Sequence, residues 1–178
     1  AAQDAQYQWA KSIGSASADV GYSIAVDDSG NVFITGRFQG TADFDPGAGT
    51  ANLTSAGGFD IFFAKYDSSG NYLWAKRIGG TSDDYGNSIS VDGSGNVYIT
   101  GTFTDTADFD PDTGVANLTP VGGFDIFVLK MRQKGVTGNV FNDIVQNCVR
   151  DTNEIGLAGR MLMITPGNII VQTNSSGY

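Results

Sequence analysis

The stretch Gly30–Gly36 (GNVFITG) returns 65 positions later as Gly95–Gly101 (GNVYITG), and the repetition extends well beyond it. Aligned without a gap, Trp74–Met131 matches Trp9–Tyr66 at 38 of 58 positions. A long internal repeat is typical of proteins in which each copy is one supersecondary unit that buries its apolar face on the next copy. The repeat therefore determines the architecture.

Within one repeat, apolar residues alternate with small or polar ones over short runs, which is the period of a β-strand. Tyr22–Asp27 and Asn31–Phe38 are two such runs, and Asp27–Asn31 between them carries the Asp and Gly of a tight turn. We expect a hairpin there, and two hairpins, or four strands, in each repeat. The same turn composition recurs at Asp67–Asn71, between predicted strands Asp60–Tyr66 and Tyr72–Ile78, and at Asp92–Asn96.

Four antiparallel strands in a tandem repeat of this length are the size of one β-propeller blade. The blocks WAKxIG, SIxVDxSGNVYITG, ADFDP and GGFDIF, followed by a lysine, closely resemble the SBBP family of bacterial β-propeller repeats over about Trp9–Met131. The resemblance implies two four-stranded blades in a secreted or cell-surface protein of bacteria. It implies a binding role and brings no catalytic residues.

The predicted strands do not form two complete four-stranded blades. Tyr7–Ile13 (YQWAKSI) matches Tyr72–Ile78 (YLWAKRI), the last strand of a repeat, whereas no such strand follows Met131. We therefore expect one strand, then four, then three. Two blades are too few to close a ring, and their uncovered end faces would expose about 700 Å² of partly apolar surface. We expect a homo-oligomer that closes a propeller ring, or a piece of a longer array.

Composition excludes several classes of function. Among 178 residues there are 10 basic and 19 acidic side chains, a net charge of −9, which argues against nucleic-acid binding. Histidine is absent, so serine–histidine catalysis and histidine metal sites are excluded. No apolar run is long enough for membrane insertion. The first six residues resemble a mature end after signal-peptide removal, although a cloning boundary looks the same.

The ADFDP loops are a candidate metal site. In the second copy Asp108, Asp110 and Asp112 alternate ahead of a glycine, and alternating carboxylates can converge on Ca²⁺. The first copy has only Asp43 and Asp45 at these positions. A weak calcium site and a structural turn both fit the pattern.

The composition changes near residue 135, which predicts a repeat domain over 1–135 and a second domain over 136–178. Val136–Asp143, Arg150–Gly159 and Thr173–Tyr178 resemble the opening of the SdrD B-like domains, which are immunoglobulin-like modules of bacterial surface proteins. Such a sandwich needs about 100 residues. The fold class is therefore all-β, with two tandem four-stranded antiparallel blades and a truncated immunoglobulin-like segment.

The second domain contains a twelve-residue pattern similar to a calcium loop, Asp143–Glu154. Val145 stands where an oxygen ligand belongs, and Cys148 replaces the glycine of the sharp turn. A weak Ca²⁺ site and a surface loop without metal both remain open. The ligands would be Asp143, Asn147, the Val149 carbonyl, Asp151 and Glu154.

Large aromatic side chains recur in both copies, and they fit either a sugar-binding platform or the packing of one blade on the next. Recurrence favours packing, because every blade must pack whereas a binding site need not recur. The residues concerned are Trp9, Trp74, Phe59, Phe62, Phe124 and Phe127.

Together these observations predict a non-enzymatic secreted or cell-surface module that acts in adhesion or binding, or as a structural spacer. Its partner would be a protein or a glycan, and Ca²⁺ is the one cofactor that the sequence suggests. The alternative is a fragment of a larger propeller enzyme, such as a carboxylate-dependent glycosidase that uses Asp108, Asp110 and Asp112.

Overall fold

The computed structural model describes residues 4–132 and two later strands, 161–164 and 169–172. No helix that could cross a membrane occurs among these residues. The chain divides into two compact units, Ala1–Gln133 and Lys134–Tyr178. In chain order the strands are β1 (Val20–Val26), β2 (Val32–Phe38), β3 (Thr41–Asp43), β4 (Asn52–Thr54), β5 (Asp60–Tyr66), β6 (Tyr72–Gly80), β7 (Tyr85–Val91), β8 (Val97–Phe103), β9 (Ala107–Asp108), β10 (Asn117–Leu118), β11 (Asp125–Met131), β12 (Met161–Ile164) and β13 (Ile169–Gln172).

The first repeat forms a four-stranded antiparallel sheet, which we call blade 1. Its strands are hydrogen-bonded in the order β1-β2-β5-β6, so each strand lies beside its neighbour in the chain. A β-bulge between Gly21 and Ser23 interrupts the β1–β2 register. The all-β fold and the two hairpins predicted for this repeat are confirmed.

The predicted turns owe their shape to one aspartate each. In the first, Asp27 Oδ1 accepts hydrogen bonds from the backbone N–H groups of Ser29 and Asn31, at 3.0 and 2.9 Å. Gly30 follows with φ of +78°, a conformation that costs glycine little because it lacks a Cβ. The turns that begin at Asp67 and Asp92 repeat these contacts.

The second repeat forms a three-stranded antiparallel sheet, blade 2, with the order β11-β8-β7. The four strands predicted for the first repeat are confirmed, and three blade strands are described for the second; residues 133–160, which follow β11, lie outside the described residues. The strand predicted at Tyr7–Ile13 is wrong for this structure, because these residues form no ladder and only Gly14 makes an isolated bridge, to Asp43. The fourth strand of a blade pairs with the third. Tyr7–Ile13 cannot take that place in blade 1, because β5 already pairs with β2 and β6 on its two edges.

Two small hairpins, β3–β4 and β9–β10, were not expected from the sequence. They lie between the second and third strands of each blade, and each is joined by a threonine pair, Thr41–Thr54 or Thr106–Thr119, with hydroxyl oxygens 2.9 Å apart. β9 also pairs with the end of β6, which connects blade 2 to the sheet of blade 1.

The larger apolar core lies between the two blades. We name the two faces of a blade from this contact: the rear face of blade 1 packs on the front face of blade 2. The front face of blade 1 and the rear face of blade 2 are the surfaces formed by the equivalent residues, 65 positions away. A second cluster covers the front face of blade 1 around Phe38, Phe44 and Phe62. The interblade core comprises Phe33, Ile61, Phe63 and Ile78 from blade 1 and Ile89, Val97, Ile99, Phe103, Ala107, Phe109 and Phe127 from the second repeat.

In the second unit the structure describes one antiparallel hairpin, in which Met161 of β12 is paired with Gln172 of β13. The rest of the predicted immunoglobulin-like segment lies outside the described residues. So do Cys148 and the predicted calcium loop Asp143–Glu154, with Asn147, Val149 and Asp151, and these predictions stay predictions.

Candidate functional site

An arginine surrounded by aromatic rings lies where the two blades meet. Arg37, near the end of β2, places its guanidinium carbon 4.1 Å from the ring centroid of Phe59 and 4.9 Å from that of Tyr85. Tyr22 of β1 is the third ring, at 5.9 Å. Phe124, which precedes β11, stacks on Tyr85 with centroids 5.8 Å apart. We call these five residues the Arg37 cluster.

The position of the cluster follows from strand direction. In an antiparallel blade the first and third strands start at the edge where the second strand ends. The starts of β1, β5, β7 and β11 and the end of β2 therefore bring the five side chains to one edge of the blade pair. This is also the edge that carries the long connection between β2 and β5 and the connection between the blades.

The cationic group of this cluster is not neutralised by an acid. In the part of the chain that the structure describes, the three ion pairs involve other cations, and the Nε of Arg37 is buried without a hydrogen-bond partner. The hydroxyl of Tyr85 donates to Asp83 at 3.1 Å. Burial and Asp83 raise the pKa of Tyr85, and Arg37 opposes this rise.

The outer rings of the cluster are accessible. Tyr22 is 45% exposed and Phe124 is 57% exposed, so each offers ring surface to solvent beside the guanidinium. The cluster can therefore combine a flat apolar contact with a positively charged donor, which suits a ligand with both an apolar face and an anionic group.

Three members of the cluster depart from the repeat. Tyr22, Arg37 and Tyr85 correspond to Asn87, Thr102 and Val20 in the other copy. Most residues of the interblade core recur in both copies, whereas these three members of the cluster do not. The predictions from sequence missed these three residues, and the signal that could have found them is their mismatch between otherwise similar copies.

Two fully buried carboxylates lie at the same junction. Asp60 and Asp84 are 0% exposed, and a Cβ on Gly79 would lie 2.7 Å from Cγ of Asp60 and 2.9 Å from Oδ2 of Asp84. Asp84 accepts hydrogen bonds from the backbone N–H groups of Gly80, at 2.8 Å, and Thr104, at 3.1 Å. Only glycine leaves room at position 79 for both carboxyl groups.

The environment of these carboxylates favours their protonated forms. Burial raises the pKa of Asp84 to about 6, and the nearby charges of Asp60 and Asp83 add to the rise. Burial also raises the pKa of Asp60, against the hydrogen bond and charge of Arg77. Because neither carboxyl group is exposed, the pair has no access to a substrate and acts within the blade junction.

The acidic loop predicted as a metal site is satisfied by its own backbone. Asp108 Oδ1 accepts from the N–H groups of Asp110, at 3.0 Å, and Ala116, at 2.9 Å, and these hydrogen bonds lower the pKa of Asp108. Asp110 accepts from the N–H of Asp112, at 2.9 Å, and Asp112 pairs with Lys76 at 2.7 Å. The arrangement is that of a turn.

The first copy has the same turn, in which Asp43 accepts from the N–H groups of Asp45 and Ala51. Across residues 4–132 and the two later strands, no group of three or more acidic or cysteine side chains is arranged to hold a metal ion. Binding of Ca²⁺ by Asp108, Asp110 and Asp112 stays a prediction.

The structure separates the recurring aromatic residues into two groups. Phe62 and Phe127 are buried in the blade cores, and Trp74 packs edge-on against Phe63 with centroids 5.8 Å apart. Phe59 and Phe124 instead belong to the Arg37 cluster. Trp9 lies against the second turn, where its indole Nε1 donates to the Ser68 carbonyl at 3.1 Å.

Comparison with protein families finds β-propeller repeats in this chain. Residues 8–37 and 73–109 match the model of SBBP, described as a β-propeller repeat. Both matches lie in the first unit and cover the first two strands of each blade, with part of the segment before or after them. The chain thus contains two segments similar to β-propeller repeats, and the SdrD B-like resemblance stays a prediction.

Two curated proteins are similar to parts of the chain. An uncharacterized WD repeat-containing protein of Acanthamoeba polyphaga mimivirus is 34% identical over an alignment of 118 residues, and the match covers 58% of this chain and 8% of that protein. Regulatory protein FlaEY of Caulobacter vibrioides is 27% identical over 120 residues, 67% of this chain and 12% of that protein. The chain spans about a tenth of the length of these relatives.

Proposed function

We propose that the chain is a non-enzymatic repeat module of a secreted or cell-surface bacterial protein, and that it acts in adhesion by binding a glycan at the Arg37 cluster. The observation that carries the proposal is that the cluster departs from the repeat at Tyr22, Arg37 and Tyr85. Most residues of the interblade core recur in both blades. Residues that break the repeat and remain accessible fit a binding role.

The chemistry of the cluster indicates a saccharide that carries a carboxylate. The exposed rings of Tyr22 and Phe124 suit the apolar face of a pyranose. Arg37, which has no carboxylate partner among the described residues, suits the carboxylate of a sugar acid. In a chain with a net charge of −9, such a cation is an uncommon surface group.

A carboxylate-dependent glycosidase is less well supported. Asp108 has a lowered pKa and accepts two backbone hydrogen bonds, so it is a poor proton donor at neutral pH. Asp84 has the raised pKa that a general acid needs, but it is fully buried. The repeat-protein relatives also suggest a role without catalysis.

Calorimetry with an oligogalacturonate, and with a neutral oligosaccharide of equal length, tests the proposal. We expect binding of the acidic sugar, and at least a tenfold loss of affinity in Arg37→Thr, because a charge-assisted contact contributes about 1.5–3 kcal/mol. Tyr22→Asn should also lose affinity, because it removes the ring that packs on the face of the sugar. Both substitutions follow the other repeat, which carries Thr102 and Asn87. They should therefore leave the blade folded.

Lys76→Ala provides the matched control, since Lys76 is a partly exposed cation outside the cluster that pairs with Asp112. It should leave sugar affinity unchanged. Equal affinity of the wild type and Arg37→Thr for the acidic sugar would overturn the proposal. Failure to bind any acidic glycan, together with Arg37-dependent binding of a protein, would assign the site to a protein partner instead.

A further inference from the structure

The two outer faces of the blade pair have the composition of a protein interior. On the front face of blade 1, Ile24 is 65% exposed and Val26 is 60% exposed. On the rear face of blade 2, Ile126 and Val128 are each 80% exposed. Exposed apolar residues grouped on one sheet face mark an interaction surface in a water-soluble fold.

The contact between blades 1 and 2 shows which surface these faces fit. Ile61 on the rear face of blade 1 is 0% exposed, and Ile89 on the front face of blade 2 is 6% exposed. Shifted by one repeat, they are Ile126 and Ile24, the most exposed isoleucines of the outer faces. The outer rear face is therefore a copy of a surface that already binds a front face.

The outer edge of blade 2 has no partner strand among the described residues. Among the described strands β11 pairs only with β8, whereas the equivalent β5 pairs on both edges and holds β6 on the second. Tyr7–Ile13 has the sequence pattern of β6 without being a strand. The next residue, Gly14, forms a bridge to Asp43. One repeat later, Gly79 at the end of β6 makes the equivalent pair with Asp108.

We propose that a second copy of this chain docks the front face of its blade 1 on the rear face of blade 2 and donates Tyr7–Ile13 as a fourth strand beside β11. The β5–β6 pairs Ile61–Ile78 and Lys65–Trp74 define the register. One repeat later, they place the donated Ile13 opposite Ile126 and the donated Trp9 opposite Lys130.

The size of the contact is adequate for assembly. Each docked pair of faces buries about 700 Å² from strand spacing and rise, and the donated strand adds backbone hydrogen bonds. The contact is head-to-tail, so it closes into a ring when the rotation between copies permits. Rings of four to eight blades correspond to two to four copies, and a ring of two buries about 1,400 Å², within the range of stable interfaces.

Light scattering behind a sizing column, with the full chain at about 100 μM, is the first test. We expect a discrete mass of two to four copies. We also expect assembly to strengthen with salt, because each copy carries a net charge of −9. A monomer at this concentration, or a broad distribution of aggregates, would overturn the proposal.

Two variants separate donor from acceptor. Ile126→Asp places a charge on the acceptor face, and removal of residues 1–13 takes away the donated strand. Each variant alone should lose at least about a hundredfold in association, because it lacks one half of the contact. Mixed together, they should form a one-to-one complex and nothing larger, since only one functional donor and one functional acceptor remain.

Val115→Asp is the matched control, because Val115 is 74% exposed and lies on a loop away from both faces. It should assemble like the wild type. Circular dichroism should show an unchanged β spectrum for all three variants, and a peptide of residues 4–14 should bind the truncated chain, whose β11 edge is intact. Assembly that survives Ile126→Asp, or a mixture that stays monomeric, would contradict the head-to-tail contact.

Discussion

The rear faces of the two blades have nearly the same sequence and opposite environments. Ile61 is 0% exposed and its equivalent Ile126 is 80% exposed; Phe63 is 1% exposed and its equivalent Val128 is 80% exposed. The strands and turns of the two repeats are alike, so local sequence does not cause the difference. Whether a face is interior depends on a neighbouring blade, and the repeat encodes a surface that is stable only when covered.

The front faces also differ in exposure, but here the position in blade 2 is buried and the equivalent position in blade 1 is exposed. Ile89 of blade 2 is 6% exposed and Ile24 of blade 1 is 65% exposed. The chain thus contains one covered contact, between the rear face of blade 1 and the front face of blade 2. One front-face position, Ile24, and one rear-face position, Ile126, stay exposed. Because the positions match residue for residue, every substitution at the covered contact has an internal control at an open one.

The largest expected effect is at the paired isoleucines. Ile61→Ala should lower the free energy of unfolding by about 2–5 kcal/mol, because it leaves a cavity in the interblade core. Ile126→Ala should change it by less than about 0.5 kcal/mol at submicromolar concentration, where each copy is alone. Urea denaturation measures both, and equal losses would show that the two faces are equally covered.

The glycines that start the first strands sharpen the comparison. A Cβ on Gly86 would collide with Thr35 Oγ1 and lie 2.8 Å from Ile61 Cγ2, whereas a Cβ on Gly21 has nothing within 4 Å. Gly86→Ala should therefore destabilise by about 1–3 kcal/mol through overpacking. Gly21→Ala should be neutral or slightly stabilising. Thermal denaturation distinguishes them, and a neutral Gly86→Ala would mean that the blades can move apart at little cost.

The buried carboxylates predict how stability depends on pH. Burial holds the pKa of Asp84 at about 6 in the folded chain, above the ordinary aspartate value of 3.8, so the folded state binds more protons between these values. Stability should therefore fall by about 1–2 kcal/mol as pH rises from 4 to 7. Hydrogen bonds from Asn96 lower the pKa of Asp92 to about 2, which predicts a loss of stability as pH falls below 4.

Urea titrations between pH 2 and 8 should therefore show a maximum near pH 4–5. Asp60→Asn should flatten the decrease above pH 4, because it removes one buried carboxylate and a charge beside Asp84. Asp125→Asn, at the equivalent position in the second repeat, is only partly buried and should leave the slope unchanged. A wild type that gains stability from pH 4 to 7 would exclude the junction pair as the dominant titrating group.

The smallest effect is expected at a pair of threonines. Thr35 is fully buried and donates to the Phe62 carbonyl at 2.7 Å; Thr100 makes the same bond to Phe127 but is exposed. Thr35→Val should cost about 1 kcal/mol, because the carbonyl loses a partner away from water. Thr100→Val should cost less, since water replaces the hydroxyl. Chemical denaturation measures both, and a larger loss at Thr100 would contradict the difference in burial.

Local features of the fold were predictable from the sequence because local chemistry determines them. The predicted bounds of Asp60–Tyr66 are those of β5, and the turn at Asp27 has the expected hydrogen bonds and glycine conformation. Tyr7–Ile13 was predicted as a strand from its similarity to β6, yet a strand also needs a partner edge. Sequence similarity determines how a segment can pair, but not whether a partner is available.

The candidate site was less predictable because it depends on the distance between blades. Phe59 and Phe124 were singled out from their repetition, whereas Arg37 and Tyr85 became significant only when the blades were adjacent. Asp84 resembled the many turn aspartates in sequence. Its raised pKa comes first from burial at the blade junction and then from the charge of Asp60, 24 positions earlier, and no local pattern reveals either.

The pairing of β6 with β9 has a consequence for how the chain unfolds. Gly79 and Gly80, at the end of blade 1, are hydrogen-bonded to Asp108 and Ala107, which belong to the second repeat. A sheet shared in this way couples the two repeats through the backbone as well as through side chains. In a repeat protein, strong coupling between neighbours makes their melting cooperative. The two blades therefore form a single foldon, in which amide exchange from β2 and β8 should occur only through joint opening.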